Sequence, residues 1–170
     1  MKHAEMVKKI EKYLENRRHK VVVAPHARKK KDSYQSDDKE IGLYNCTGGK
    51  ETKLSNADIL LYKEDTLPYL FEIEAGNPPS PKHIIGTIEA TNQSNKCYVG
   101  KVKGEHIYQI RGCYLFIVLD DSSVYGKAKK EQIKWINNNY PFKGNYLRGA
   151  KVCYLNDFEK EFKNCGKEKA

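Results

Sequence analysis

Asp58, Glu72 and Glu74 are the residues whose type and spacing could do chemistry. Asp58 opens the run Asp58-Ile59-Leu60-Leu61-Tyr62, and the glutamates close Tyr69-Leu70-Phe71-Glu72-Ile73-Glu74. Two apolar runs of strand length, separated by Lys63-Glu64-Asp65-Thr66-Leu67-Pro68, predict a β-hairpin. Side chains alternate across a strand, so Glu72 and Glu74 share one face, roughly 7 Å apart, while Phe71 and Ile73 take the other. A turn centred on Asp65 puts Asp58 opposite Glu72. Like charges brought this close repel and need a cation or basic side chains to neutralise them. Mg²⁺ prefers oxygen ligands and keeps several waters, which suits carboxylates plus a substrate phosphate, and Mn²⁺ is expected to substitute. Such an ion polarises a phosphoryl oxygen and supplies hydroxide, so the expected reaction is phosphodiester hydrolysis.

The charge balance points the same way. Lys and Arg number 31 against 22 Asp and Glu, a formal +9, which makes a polyanion a natural partner through neutralised phosphates. Arg28-Lys29-Lys30-Lys31 and Lys50 are the candidate nucleic-acid contacts, with a solvated loop as the plain alternative for the first run. Thr47-Gly48-Gly49-Lys50 lacks the first glycine and the final Ser or Thr of a phosphate-binding P-loop and reads as an ordinary loop. The five cysteines form no Cys-x-x-Cys pair and read as free thiols in a reducing compartment. No apolar run approaches the roughly 18 residues of a membrane span, and the start of the chain lacks a signal-peptide apolar region. The expectation is a cytoplasmic protein without a membrane partner.

The elements that must position the acids can be read along the chain. Met6, Val7, Ile10, Tyr13 and Leu14 recur at helical spacing and predict an amphipathic helix from Lys2 to about Arg18. Val21-Val22-Val23-Ala24 predicts a short strand stopped by Pro25. A polar stretch at about 27–53 predicts a long loop, with a small strand around Ile41–Tyr44. After the hairpin, Pro81 suits the first turn of a second helix reaching about Asn95. Cys113–Leu119 reads as a fully buried strand, about Gly126–Asn138 as a helix, Lys151–Leu155 as a strand, and Asp157–Lys163 as a last helix. Trp135 reads as packing. The histidines are scattered without metal-ligand spacing, and only His83 is a candidate phosphate or general-acid contact. All of this fits one domain over 1–170: an α/β fold with a central mixed β-sheet flanked by helices.

In this order of elements, and most sharply in Asn56-Ala57-Asp58-Ile59-Leu60-Leu61-Tyr62 followed by Leu70-Phe71-Glu72-Ile73-Glu74, the chain resembles the PD-(D/E)XK, or restriction-endonuclease-like, nuclease superfamily. The resemblance implies a restriction-endonuclease-like core in which Asp58 is the first metal-binding acid, Glu72 the second, and the Ile73 carbonyl a further ligand. Glu74 stands where that family most often has lysine, an E-x-E form found among certain type II restriction enzymes. Lys82 is the nearest candidate in sequence for a replacement lysine, with Lys53 and Lys63 behind it, to orient the attacking water or stabilise developing charge. Glu11 on the opening helix is a candidate additional acid, preferred to Glu5. The expected activity is a Mg²⁺-dependent DNA endonuclease, restriction-like or junction-resolving, acting as a homodimer because two cuts need two sites. The alternative is a catalytically silent nucleic-acid-binding module that keeps the fold.

Overall fold

Cys113–Leu119, an unbroken apolar run, forms a strand with a parallel neighbour on each side, as a segment buried on both faces requires. Around it the chain builds an α/β fold, a mixed central sheet flanked by helices; the structure is a computed structural model describing residues 1–24, 40–64, 66–100, 106–122, 124–140 and 146–165. In chain order the described elements are α1 (His3–Asn16), β1 (Lys20–Val23), β2 (Ile41–Asn45), β3 (Thr52–Asn56), β4 (Ile59–Lys63) and β5 (Thr66–Glu74). Then come α2 (Pro81–Asn92), β6 (Lys96–Val99), β7 (His106–Gln109), β8 (Cys113–Leu119), α3 (Lys127–Asn139) and β9 (Leu147–Tyr154). A 3₁₀ turn (Leu155–Asp157) leads into α4 (Phe158–Cys165). No described helix is long and apolar enough to cross a membrane.

β1, β4 and β5 form an antiparallel meander, and β8 and β9 continue from β5 as parallel strands. Parallel neighbours need a crossover, and α2 and α3 lie in the two that join β5 to β8 and β8 to β9. Both helices pack on one face, where Ile84, Ile88 and Ile136 meet Leu60, Leu70, Leu115, Ile117 and Val152. The other face carries α1 and α4: Met6, Val7, Ile10 and Leu14 join Phe158 and Phe162 over Ile59, Phe71 and Phe116. Here the aromatic rings interlock, with Phe71 and Phe116 stacked at 5.7 Å and Phe158 edge-on to both.

A second antiparallel group, in the order β7, β6, β2, β3, joins β5, among the described residues, through the pairing of Thr66 with Gln109. The small strand expected around Ile41–Tyr44 is β2, and within the stretch expected as loop it forms an unexpected hairpin with β3, with Gly48 and Gly49 at positive φ in its turn; residues 27–39 lie outside the described residues. β3 escaped the sequence reading because Thr52–Asn56 is mostly exposed at a sheet edge and shows no apolar alternation. The Arg28–Lys31 run and Asp65 lie outside the described residues.

The opposite edge is protected by a side chain. Asn137 of α3 donates from Nδ2 to the Val152 carbonyl at 2.9 Å and accepts the Val152 N–H on Oδ1 at 2.8 Å, standing in for a neighbouring strand. Asn137→Ala is expected to lower stability by about 1–3 kcal/mol, since it strips both partners from Val152. Urea denaturation checks this; an unchanged midpoint would mean that water takes over the two bonds.

Candidate functional site

The register of β4 on β5 sets Ile59 opposite Phe71, Leu60 opposite Leu70 and Leu61 opposite Tyr69. Asp58 stands just ahead of β4, where that register is no longer kept: its N–H donates at 3.0 Å to the carbonyl of Phe71, the residue already opposite Ile59. Phe71 and Ile73 pack on the α1 and α4 side while Leu70 packs on the α2 side. Alternation therefore turns Glu72 and Glu74 toward α2. Asp58 is buried, and its Oδ2 accepts the Ile73 N–H at 2.8 Å and lies 3.2 Å from His3 Nε2.

β5 and β8 end together, Glu74 beside Leu119, and the next N–H, that of Asp120, donates to the Glu74 carbonyl at 3.0 Å. Asp120 is buried, accepts the Ser122 N–H at 3.1 Å and pairs with the Met1 ammonium. From the first turn of α2, His83 sets Nε2 3.4 Å from Glu74 Oε1. Acids and histidines thus gather at the carboxyl ends of parallel strands, where α/β sheets place ligands.

The electrostatics follow from this crowding. Burial pushes the Glu72 carboxyl well above the ordinary glutamate range, and the charges of Asp58 and Glu74 push it further. Glu74 is also raised, again chiefly by burial, but His83 works against that by charge and by a hydrogen bond. Asp120 goes the other way, down to about 2, mainly because the amino terminus bonds to it.

The remaining sequence candidates fall in different places. Lys82 lines a groove between α2 and α3, and it is the adjacent His83 that reaches Glu74. Lys53 pairs with Glu40 at 2.6 Å. Lys63 ends β4, five residues from Asp58, or roughly 16 Å along an extended strand. Glu11 sits about 12 Å further along the α1 axis than His3, the α1 residue that meets Asp58. Glu5 bonds the Lys2 N–H in a capping box. Lys50 is exposed in the β2–β3 turn. Trp135, expected to pack, is 55% exposed.

His3 and Asp120 are the site residues that the sequence reading missed. Asp120 carried a usable signal, an acid directly after a buried parallel strand. His3 carried none, since its contact with Asp58 spans 55 positions.

Hard oxygen donors are the chemistry a Mg²⁺ ion requires, and Asp58, Glu72, Glu74 and the Ile73 carbonyl supply it. Among the described residues no group of three or more His, Cys, Asp or Glu side chains is placed to hold a metal ion. Comparison with family models, curated proteins and solved structures finds no match to this chain.

The folded chain holds the Glu72 proton more tightly than the unfolded chain does. As far as this group goes, the fold is most stable below the ordinary glutamate range and loses stability as pH rises through the raised value. In EDTA, Glu72→Gln is expected to melt higher than the wild type at pH 8 and to match it near pH 4. A scan of melting temperature against pH checks this, and parallel curves for the two proteins would contradict the crowding.

Proposed function

We propose that this chain is a metal-dependent nuclease with a restriction-endonuclease-like core of the PD-(D/E)XK kind in its E-x-E form, hydrolysing phosphodiester bonds in DNA. The observation that carries the reading is that Asp58 bonds β5 on either side of Glu72, its N–H to the Phe71 carbonyl and its Oδ2 to the Ile73 N–H, and that its charge acts on Glu72 together with that of Glu74 two residues on. It is supported by the order α1, β1, β4, β5, α2, β8, in which an antiparallel meander passes through a crossover helix to a parallel strand. The formal +9 suits a polyanionic substrate. The free cysteines suit a reducing, cytoplasmic setting, and a homodimer suits cuts in both strands of a duplex.

Asp58, Glu72 and the Ile73 carbonyl would hold Mg²⁺, which when bound acts as a Lewis acid and makes hydroxide available near neutral pH. The Ile73 N–H fixes the rotation of the Asp58 carboxylate by holding Oδ2. Glu74, with its carboxyl raised and Oε1 beside His83, can take the proton of the attacking water. His83 takes the part that the family gives to lysine, placing a positive or proton-donating group beside the acids.

A second reading, a nuclease fold that binds nucleic acid without cutting it, is favoured by the absence of a three-acid group among the described residues and by the placement of Lys53 on Glu40 and of Lys63 at the far end of β4. Supercoiled plasmid and a branched junction, each incubated with Mg²⁺, with Mn²⁺ and with EDTA, separate the two. The nuclease cuts only with metal, and Glu72→Ala lowers the rate to about a thousandth or less, at least roughly 4 kcal/mol of barrier. Tight binding with no cutting under either metal establishes the silent module instead.

A further inference from the structure

α3 presents an unusual surface. Over Lys127–Asn139 it carries four lysines against one glutamate, all exposed, and among them Trp135 is 55% exposed. A large aromatic side chain left in water gives up the burial that normally holds it, so its position invites a partner. Trp135 meets Tyr140 edge-on, at 6.3 Å between ring centroids. With Pro81, Lys82, Ile85, Gln132 and Ile136 it lines a groove of about 400 Å³ between α2 and α3. Most of the lining is apolar; Ser80, Lys82 and Gln132 supply the polar contacts. The groove lies on the same face of the sheet as Glu72 and Glu74, and Lys82 directly precedes His83, whose Nε2 is 3.4 Å from Glu74 Oε1.

An apolar slot walled by an indole, with an ammonium at its edge and a lysine-rich helix beside it, matches a nucleotide. The base has a π-face to stack on the indole, and its phosphate has a cation to meet. A base inside an intact duplex has no free face to offer. We infer that this groove is a stacking platform for one unpaired nucleotide of a nucleic-acid strand, held next to the acidic edge, so that the substrate class is a strand with unpaired bases: a single strand, a flap or a junction arm. The inference rests on the nucleic-acid reading above and adds the substrate to it. Charge complementarity with α3 selects this occupant over a second copy of the chain, which would bring another lysine-rich helix.

Trp135 is the chain's single tryptophan, so its emission reports the groove directly. The whole protein in EDTA is titrated with a homothymidine strand of about 15 nucleotides, a length near the upper end of common single-strand site sizes, and with a blunt duplex of equal length. The single strand is expected to quench the emission to saturation while the duplex leaves it unmoved. By anisotropy of a labelled strand, Trp135→Ala should bind about ten-fold more weakly, while Trp135→Phe keeps most of the affinity. Equal quenching by the duplex, unmoved emission with the single strand, or wild-type affinity in Trp135→Ala overturns the platform. So does an emission change that follows protein concentration alone, which would mean that a second copy covers the groove. Quenching with no cutting of the single strand, the branched junction or the plasmid in Mg²⁺ or Mn²⁺ keeps the platform and sinks the nuclease, whereas cutting with unmoved emission sinks the platform alone.

Discussion

The register of β4 on β5 is the constraint from which the rest of the molecule follows. With Ile59 opposite Phe71, the odd-numbered residues Phe71 and Ile73 enter the core beneath α1 and α4, and Leu70 meets α2. A slip of one residue would exchange the faces and drive Glu72 and Glu74 in among Phe116, Phe158 and Phe162. Two buried carboxylates in an aromatic core have no partner to offset their desolvation, so the slipped register is strongly disfavoured. Covalent geometry helps to pin it. Pro68 lacks an N–H and lies in β5 where the β4 pairing shifts between Leu61 and Lys63, and Glu64 takes positive φ in the turn. From Tyr69 onward β5 is held on its other side by β8, residue for residue to Glu74 beside Leu119. The hairpin is thus fixed from both flanks.

That register also creates the molecule's main electrostatic problem. It gathers Asp58, Glu72 and Glu74 at one end of the sheet, and the end of β8 adds Asp120. The fold answers with donors from three directions: the Ile73 N–H and His3 at Asp58, His83 at Glu74, and the amino terminus at Asp120. Glu72 is the acid on which burial and both neighbouring carboxylates act in the same direction. Under the proposed function a divalent cation would act most strongly there, because it would relieve two repulsions at once.

How much of this the sequence disclosed depends on how local each cause was. The hairpin and the buried β8 were legible because alternation and apolar runs are properties of neighbours in sequence. So was α2, where Pro81 stands in the first turn and Ser80 caps it by accepting the His83 N–H at 3.2 Å. β3 and β7 were not legible: both lie mostly exposed in the second antiparallel group, so tertiary pairing rather than an apolar pattern makes them strands. β6 is buried but only four residues long, too short for a pattern to declare itself. His3 and Asp120 belong to the site only because α1 and β8 end where they do, a fact of packing. Trp135 misled because a tryptophan between isoleucines on a helix looks like core, whereas its neighbour Ile136 takes the buried position.

The segment from Ala75 to His83 then carries a role that its composition explains. It joins the acidic edge to the α2–α3 groove, and Gly76, at a φ of 80°, turns the chain out of β5 where a side chain would be strained. Pro78, Pro79 and Pro81 restrict the backbone, the Tyr125 hydroxyl donates to the Pro79 carbonyl at 2.7 Å, and Ser80 closes the first turn of α2. Consecutive residues then diverge: Lys82 lines the groove and His83 reaches Glu74. A loop of this length without prolines or caps would let groove and acids drift relative to each other. Held as it is, the segment fixes their separation, and under the proposed function a strand bound at one would meet the other at a set distance, which is the positioning that reaction at a chosen phosphate requires.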